Sequence, residues 1–240
     1  MRTPILLVLC LGLPSWSLAQ KGFSLGFRLG ASYCNTPTAE WSTSTDWAPG
    51  GHAGVVAHYG FGKKGALATL VEAQFALQGS RPKNAVEDDH DRLFLYYANF
   101  PVLARYRLKM GLFFELGPYV GVLVNTGYRS ATPEPRDPED RAVYNEGIDL
   151  FTKSFNVLDY GTTLGVGYLP TSGLGASVRF NYGIADIWTS ADAVTFEGLG
   201  TIDAGITSNL SAQLSFIYMV KYHKVQRKGH FGHRRHVLKR

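Results

Sequence analysis

The stretch "FSLGFRLGASY", Phe23 to Tyr33, sets Phe, Leu, Phe, Leu, Ala and Tyr on its odd positions and Ser, Gly, Arg, Gly and Ser between them. Such alternation is that of a strand whose two faces meet different surroundings. The polar face is nearly empty. It carries only glycine, serine and Arg28. A sheet face in water would hold bulky Lys, Glu and Thr. This pattern suits a wide apolar medium on one side and a cramped interior on the other.

The alternation recurs seven times, over Gly51–Phe61, Leu67–Leu77, Phe94–Tyr106, Leu112–Val122, Leu158–Tyr168, Leu174–Ile184 and Leu210–Val220. Each segment is long enough to cross a bilayer as a tilted strand. Three connections are tight, at Gly62–Gly65, Leu108–Met110 and Leu169–Gly173. Four are long, at Asn35–Pro49, Gly79–Asp91, Asn125–Asn156 and Ala185–Ser208. Short turns on one side and long loops on the other describe an outer-membrane barrel. The fold class expected is all-β, an eight-stranded antiparallel up-and-down transmembrane β-barrel. The long loops hold most of the turn formers and charge, as in "TPEPRDPEDR" at Thr132–Arg141.

The apolar run Ile5–Leu13 follows Arg2 and ends at Pro14, with small residues Ser17 and Ala19 close behind. This is the layout of an export signal. The expected organisation is a signal peptide over 1–19, a barrel over 20–221 and a basic, His-rich, disordered periplasmic tail over 222–240. Removing the signal removes Cys10, leaves Cys34 alone and excludes an intrachain disulfide. The net charge of +5 belongs to the tail, where Lys221 to Arg240 holds eight Lys or Arg and no acid. Setting aside those eight and Arg2 leaves 15 basic residues against 19 acidic ones. The body is therefore acidic, and nucleic acid is not an expected partner.

Aromatic residues give a second signal. Following the strands up and down puts Tyr33, Tyr96, Tyr160 and Tyr182 near the long loops. Tyr59, Tyr106, Tyr168 and Tyr218, with Phe23 and Phe61, fall near the short turns. Two belts of amphipathic rings are expected at the two membrane interfaces. The opposite face carries six charges, Arg28, Glu72, Arg105, Glu115, Asp159 and Arg179. An eight-stranded lumen is filled by its own side chains. Unpaired charges there are costly, so these six are expected to form a paired plug.

"YYANFPVLARYRL" at Tyr96–Leu108, "FFELGPYVGVLV", "NVLDYGTTLGVGY" and "GASVRFNYGIADI" follow the first strand in order. Together they resemble the PorT-type outer-membrane β-barrel family of Bacteroidetes. The Pro101 strand matches the family's Tyr-x-x-x-x-Pro-x-x-x-x-Tyr pattern, and Asp159 with Gly161 stands at its Asp-x-Gly position. The resemblance implies an integral outer-membrane location and, for some members, secretion of cell-surface proteins. The basic extension "KYHKVQRKGHFGHRRHVLKR" departs from such barrels, which end at their last strand.

Other constellations carry less chemistry. "EDDHDR" at Glu87–Arg92 gathers acids and a histidine in one loop and reads as a solvated rim. The tail histidines His223, His230, His233 and His236 match no compact metal motif. No cofactor, metal or catalytic set is expected. The functional expectation is a non-enzymatic barrel that is structural or accessory to secretion, assembly or surface contact. Its expected partners are outer-membrane lipid, envelope or secretion proteins, and anionic periplasmic polymers drawn to the tail. The alternative is a secreted, soluble, lipocalin-like barrel for a small ligand.

Overall fold

A computed structural model describes residues 22–37, 45–61, 66–82, 91–129, 137–188, 194–196, 200–202 and 208–220. The expected signal peptide, the "GKKG" turn, most of "EDDHDR" and the basic tail lie outside these residues. Eight long strands form the wall: β1 (Phe23–Asn35), β2 (Thr45–Phe61), β3 (Leu67–Gln78), β5 (Arg92–Arg107), β6 (Leu112–Arg129), β7 (Leu158–Tyr168), β8 (Leu174–Gly183) and β11 (Leu210–Met219). Three short strands lie at the long-loop end, β4 (Ser80–Pro82), β9 (Val194–Phe196) and β10 (Gly200–Ile202).

Every long strand pairs antiparallel with its neighbours in the chain, and β1 pairs with both β2 and β11. The sheet therefore closes and leaves no edge. Cross-strand partners trace one full circuit: Phe23, Tyr59, Thr69, Ala104, Leu116, Leu164, Phe180, Ala212, Tyr33. The circuit returns to β1 ten positions beyond its start. For eight strands that stagger tilts the wall by roughly 40°. Ten residues at that tilt rise roughly 25 Å, the height of the apolar band of such barrels.

The faces alternate as the side chains require. Leu29, Phe75, Leu116 and Phe216 are among the exposed residues of the outer face. Ser24, Arg28 and Ser32 of β1 are buried inward. Two short turns end on glycines held at φ +99° (Gly111) and +86° (Gly173), a region that disfavours other residues.

The wall is taller than the sequence alternation implies. β2 begins six residues before Gly51, and β5 and β6 continue to Arg92 and Arg129 above the other strands. The β5–β6 register shifts between Tyr96 and Tyr97. Tyr96 opposes Asn125 and Tyr97 opposes Leu123, so Val124 is an extra residue. Beyond this bulge β6 exchanges its faces.

The segment between β6 and β7, expected only as a long loop, contains helix α1 (Pro138–Lys153). Its start is built from the charged run itself. The Glu139 amide donates to Asp137 Oδ1 at 3.1 Å, and Pro138 occupies the first helical turn, where a missing N–H costs nothing. Glu139 and Asp140 favour the positive end of the helix dipole and Lys153 the negative end.

Candidate functional site

The inner face is layered rather than uniformly polar. At the short-turn end Phe113, Leu169, Ile217 and Met219 pack together, with Val56, Leu70 and Leu103 in a neighbouring cluster. At the long-loop end Leu93, Leu95 and Tyr97 meet Phe155, Ile187 and Trp188. Phe155 and Trp188 stand edge to face with ring centres 5.0 Å apart. An interior this narrow gains nothing from polar groups where no charge needs a partner, so apolar side chains fill both ends.

Between these layers sits the ionic cluster. Arg28 lies five residues from both Phe23 and Tyr33 on β1, so the cluster occupies the middle of the barrel's height. Arg179 forks onto Glu72 with two bonds of 2.8 and 2.7 Å and donates from Nε to Glu115 Oε2 at 2.7 Å. Arg105 donates from Nε to Glu115 Oε1 at 2.8 Å and also from Nη2 to that oxygen. Its guanidinium lies 4.2 Å from the centre of the Phe113 ring. Arg28 reaches Ser177 Oγ at 2.6 Å, Glu72 at 3.4 Å and Glu115 at 3.5 Å. All five side chains are at most 1% exposed.

Small neighbours make this possible. A Cβ on Gly165 would come within 2.9 Å of Arg179 Cγ and 3.3 Å of Glu115 Oε2. The near-empty inner face of the strands is therefore space reserved for long charged side chains.

Asp159, the sixth expected charge, stands apart from the ion pairs. It belongs to the first residues of β7, at the long-loop end, and is fully buried. The Tyr119 hydroxyl donates to its Oδ2 at 3.2 Å and the Asn209 amide at 2.9 Å. Three guanidinium groups thus face two carboxylates in the central layer, and the third acid is held by neutral donors above it. A cavity of about 10 Å³ separates the two sets and is lined by Gln74, Gln78, Asn99, Tyr119, Thr163, Arg179, Asn181 and Pro101. That is room for about one water molecule.

Other polar residues of the inner face join one another by hydrogen bonds. His52 hydrogen-bonds Ser215 at 2.8 Å, and Asn181 links Thr163 (2.7 Å) to Ser211 (2.9 Å). They follow the same alternation as the six charges and were legible by it. Among the described residues, no group of three or more His, Cys, Asp or Glu is placed to hold a metal ion.

The outer-face tyrosines are Tyr33, Tyr59, Tyr106, Tyr160, Tyr168, Tyr182 and Tyr218, all exposed, and Tyr96, half-buried with its ring centre 6.2 Å from that of Phe75. Tyr59 pairs with Phe23, and Tyr168 with Leu112, at the short-turn ends of their strands. Tyr182 pairs with Leu210 at the long-loop end.

Three solved structures are similar to the chain. Neisserial surface protein A is 11% identical, with 82% of this chain and 99% of that one covered and a TM-score of 0.45. Ail, the attachment invasion locus protein of Yersinia pestis, is 9% identical, with coverages of 83% and 99% and a TM-score of 0.39. OprG from Pseudomonas aeruginosa is 13% identical, with coverages of 85% and 98% and a TM-score of 0.43. No curated protein sequence matches the chain. The family model described as outer membrane protein beta-barrel domain matches residues 18–188, more than half of the sequence. A closed antiparallel barrel wall with an apolar outer face accords with that description, and the chain belongs to the outer membrane protein beta-barrel domain family as an integral outer-membrane protein.

Proposed function

We propose that this protein is a closed, non-conducting scaffold of the outer membrane that acts through its long-loop end, as an accessory to secretion, assembly or surface contact. The observation that carries this reading is the filled lumen. Five charges interlock at mid-height, apolar layers lie above and below them, and the cavity described above has room for about one water. With the interior committed to packing, the elements free to meet partners are those beyond the membrane: the tall β5–β6 hairpin, β4 and α1.

The PorT-type resemblance supports a place among secretion accessories, with envelope proteins as partners. The eight tyrosines of the outer face serve as interface anchors, four at each end of the wall. The six inner charges serve stability rather than transport. The basic tail, on the periplasmic side after the last strand, attracts anionic polymers. No observation favours the soluble ligand-binding barrel. Its outward residues would meet water, yet Phe27, Leu29, Phe75 and Phe216 point outward here.

Planar bilayers test the reading. The purified protein is expected to give no steady conductance of porin size. A reproducible open channel from a single barrel would refute it.

A further inference from the structure

Above the lipid-facing band the β5–β6 hairpin carries two arginines directly opposite each other, Arg92 and Arg129. Such pairs hold their Cβ atoms about 5 Å apart, and like charges so placed destabilise a sheet. Both point outward. Arg92 shares the face of Phe94 and Tyr96, and the bulge at Val124 turns Arg129 to that same side. Without the bulge, the alternation of lower β6 would send Arg129 toward the lumen.

Arg92 is also pre-oriented. Its guanidinium lies 4.6 Å from the centre of the Phe94 ring, two residues nearer the membrane. Its Nη2 donates to the Pro49 carbonyl at 3.0 Å. Gly127 opposes Phe94, and a Cβ there would sit 3.7 Å from Phe94 Cβ, so the ring lies against open backbone. Arg129 is exposed and has no ionic or hydrogen-bonding side-chain partner among the described residues.

The geometry points to an anion site on the outer wall of the barrel, and we infer that its occupant is a phosphate group of the glycolipid in the surrounding outer leaflet. Three features favour lipid. The guanidinium groups face away from the lumen. They stand four residues beyond the outer tyrosine Tyr96, about 10 Å along a wall tilted by roughly 40°, at the outer edge of the headgroup layer. Arg92 folds over the Phe94 ring, which brings its guanidinium down toward the lipid surface. Two adjacent guanidinium groups also offer the forked donors that phosphate oxygens accept. The rival counter-charge is the chain's own acidic run Glu87–Asp89, which lies outside the described residues.

The test measures lipid retained by the full-length protein. The folded barrel is extracted in detergent and offered bisphosphorylated lipid A, or the same lipid with its phosphates removed. Bound molecules are counted by native mass spectrometry. The protein is expected to retain the phosphorylated form at least roughly tenfold better, as expected for charge-assisted bonds of this kind. Arg92→Gln and Arg129→Gln should each reduce that preference, and the double variant should abolish it. Lys109→Gln removes an exposed charge on a short turn at the opposite end and should change nothing. Each variant is first shown to be folded by its heat-dependent gel mobility. Equal retention of the two lipids by the unaltered protein would overturn the inference, as would an undiminished preference in the double variant. A preference that emerges only after Glu87→Gln, Asp88→Asn and Asp89→Asn are combined would assign the arginines to the acidic run instead. A closed lumen with no lipid preference would sink this inference and leave the scaffold reading intact.

Discussion

Replacing Glu115 by glutamine probes the balance of the lumen most directly. Glu115 accepts from Arg105 and Arg179 and lies 3.5 Å from Arg28. Glutamine keeps the shape and removes the charge. The central layer would then hold three buried guanidinium groups and one carboxylate. Removing one partner of a buried ion pair costs about 3–5 kcal/mol, because the remaining charge stays buried. The Arg105 group would lose its carboxylate and keep only the Phe113 ring as a charge-stabilising neighbour. Asp159→Asn is the matched control. Its carboxylate is equally buried but bonded to the neutral Tyr119 and Asn209. Asparagine retains an acceptor there, so the cost should stay near the ~1 kcal/mol of one hydrogen bond. The assay is urea unfolding of the barrel in lipid vesicles, followed by the gel mobility of the folded form. Adding Arg105→Gln to Glu115→Gln removes one surplus cation and should recover part of the loss, a coupling the double-mutant cycle isolates. A larger cost for Asp159→Asn than for Glu115→Gln, or no recovery in the double variant, would refute the assignment of Glu115 as the hub of a stabilising plug.

Phe216→Arg, at the middle of the circuit opposite Leu29, should cost about 2–4 kcal/mol, and Tyr182→Arg near the outer end about 0–1 kcal/mol; equal costs in the same unfolding assay would contradict the depth scale set by the register. Gly165→Val should destabilise by about 1–3 kcal/mol through the clash with Arg179 Cγ. Gly147→Ala, where an added Cβ meets nothing within 4 Å, should stabilise α1 by about 0.5–1 kcal/mol, read as a gain in urea midpoint or protease resistance. Deleting Val225 to Arg240 should leave membrane assembly intact, because the last strand closes on β1 through the Val220 amide and the Leu25 carbonyl at 2.7 Å; loss of the heat-modifiable form would show that the tail is needed.

Several features of the wall were legible in the residues alone because they are local. A strand repeats every two residues, so the face taken by Arg28, Glu115 or Phe216 follows from its neighbours in the chain. The same locality hid α1. The run "RDPEDR" is rich in turn formers, and its Asp137–Pro138 start is a helix signal only when read with the weakly amphipathic stretch behind it. Val124 likewise carries no mark of a bulge, so the faces of upper β6 were not readable.

What the tertiary structure alone decided is which distant residues meet. Arg28 and Ser177 are 149 positions apart, and Arg179 and Glu72 are 107 apart, yet each pair is in hydrogen-bond contact. Those meetings depend on the ten-residue stagger of the closed sheet, and stagger is a property of the whole hydrogen-bonded circuit rather than of any strand. Three acids and three bases on the inner face looked balanced in sequence. The place of Asp159 beside Tyr160, near the long loops, already set it at another level, but which acids meet which bases in the central layer was decided only by closure.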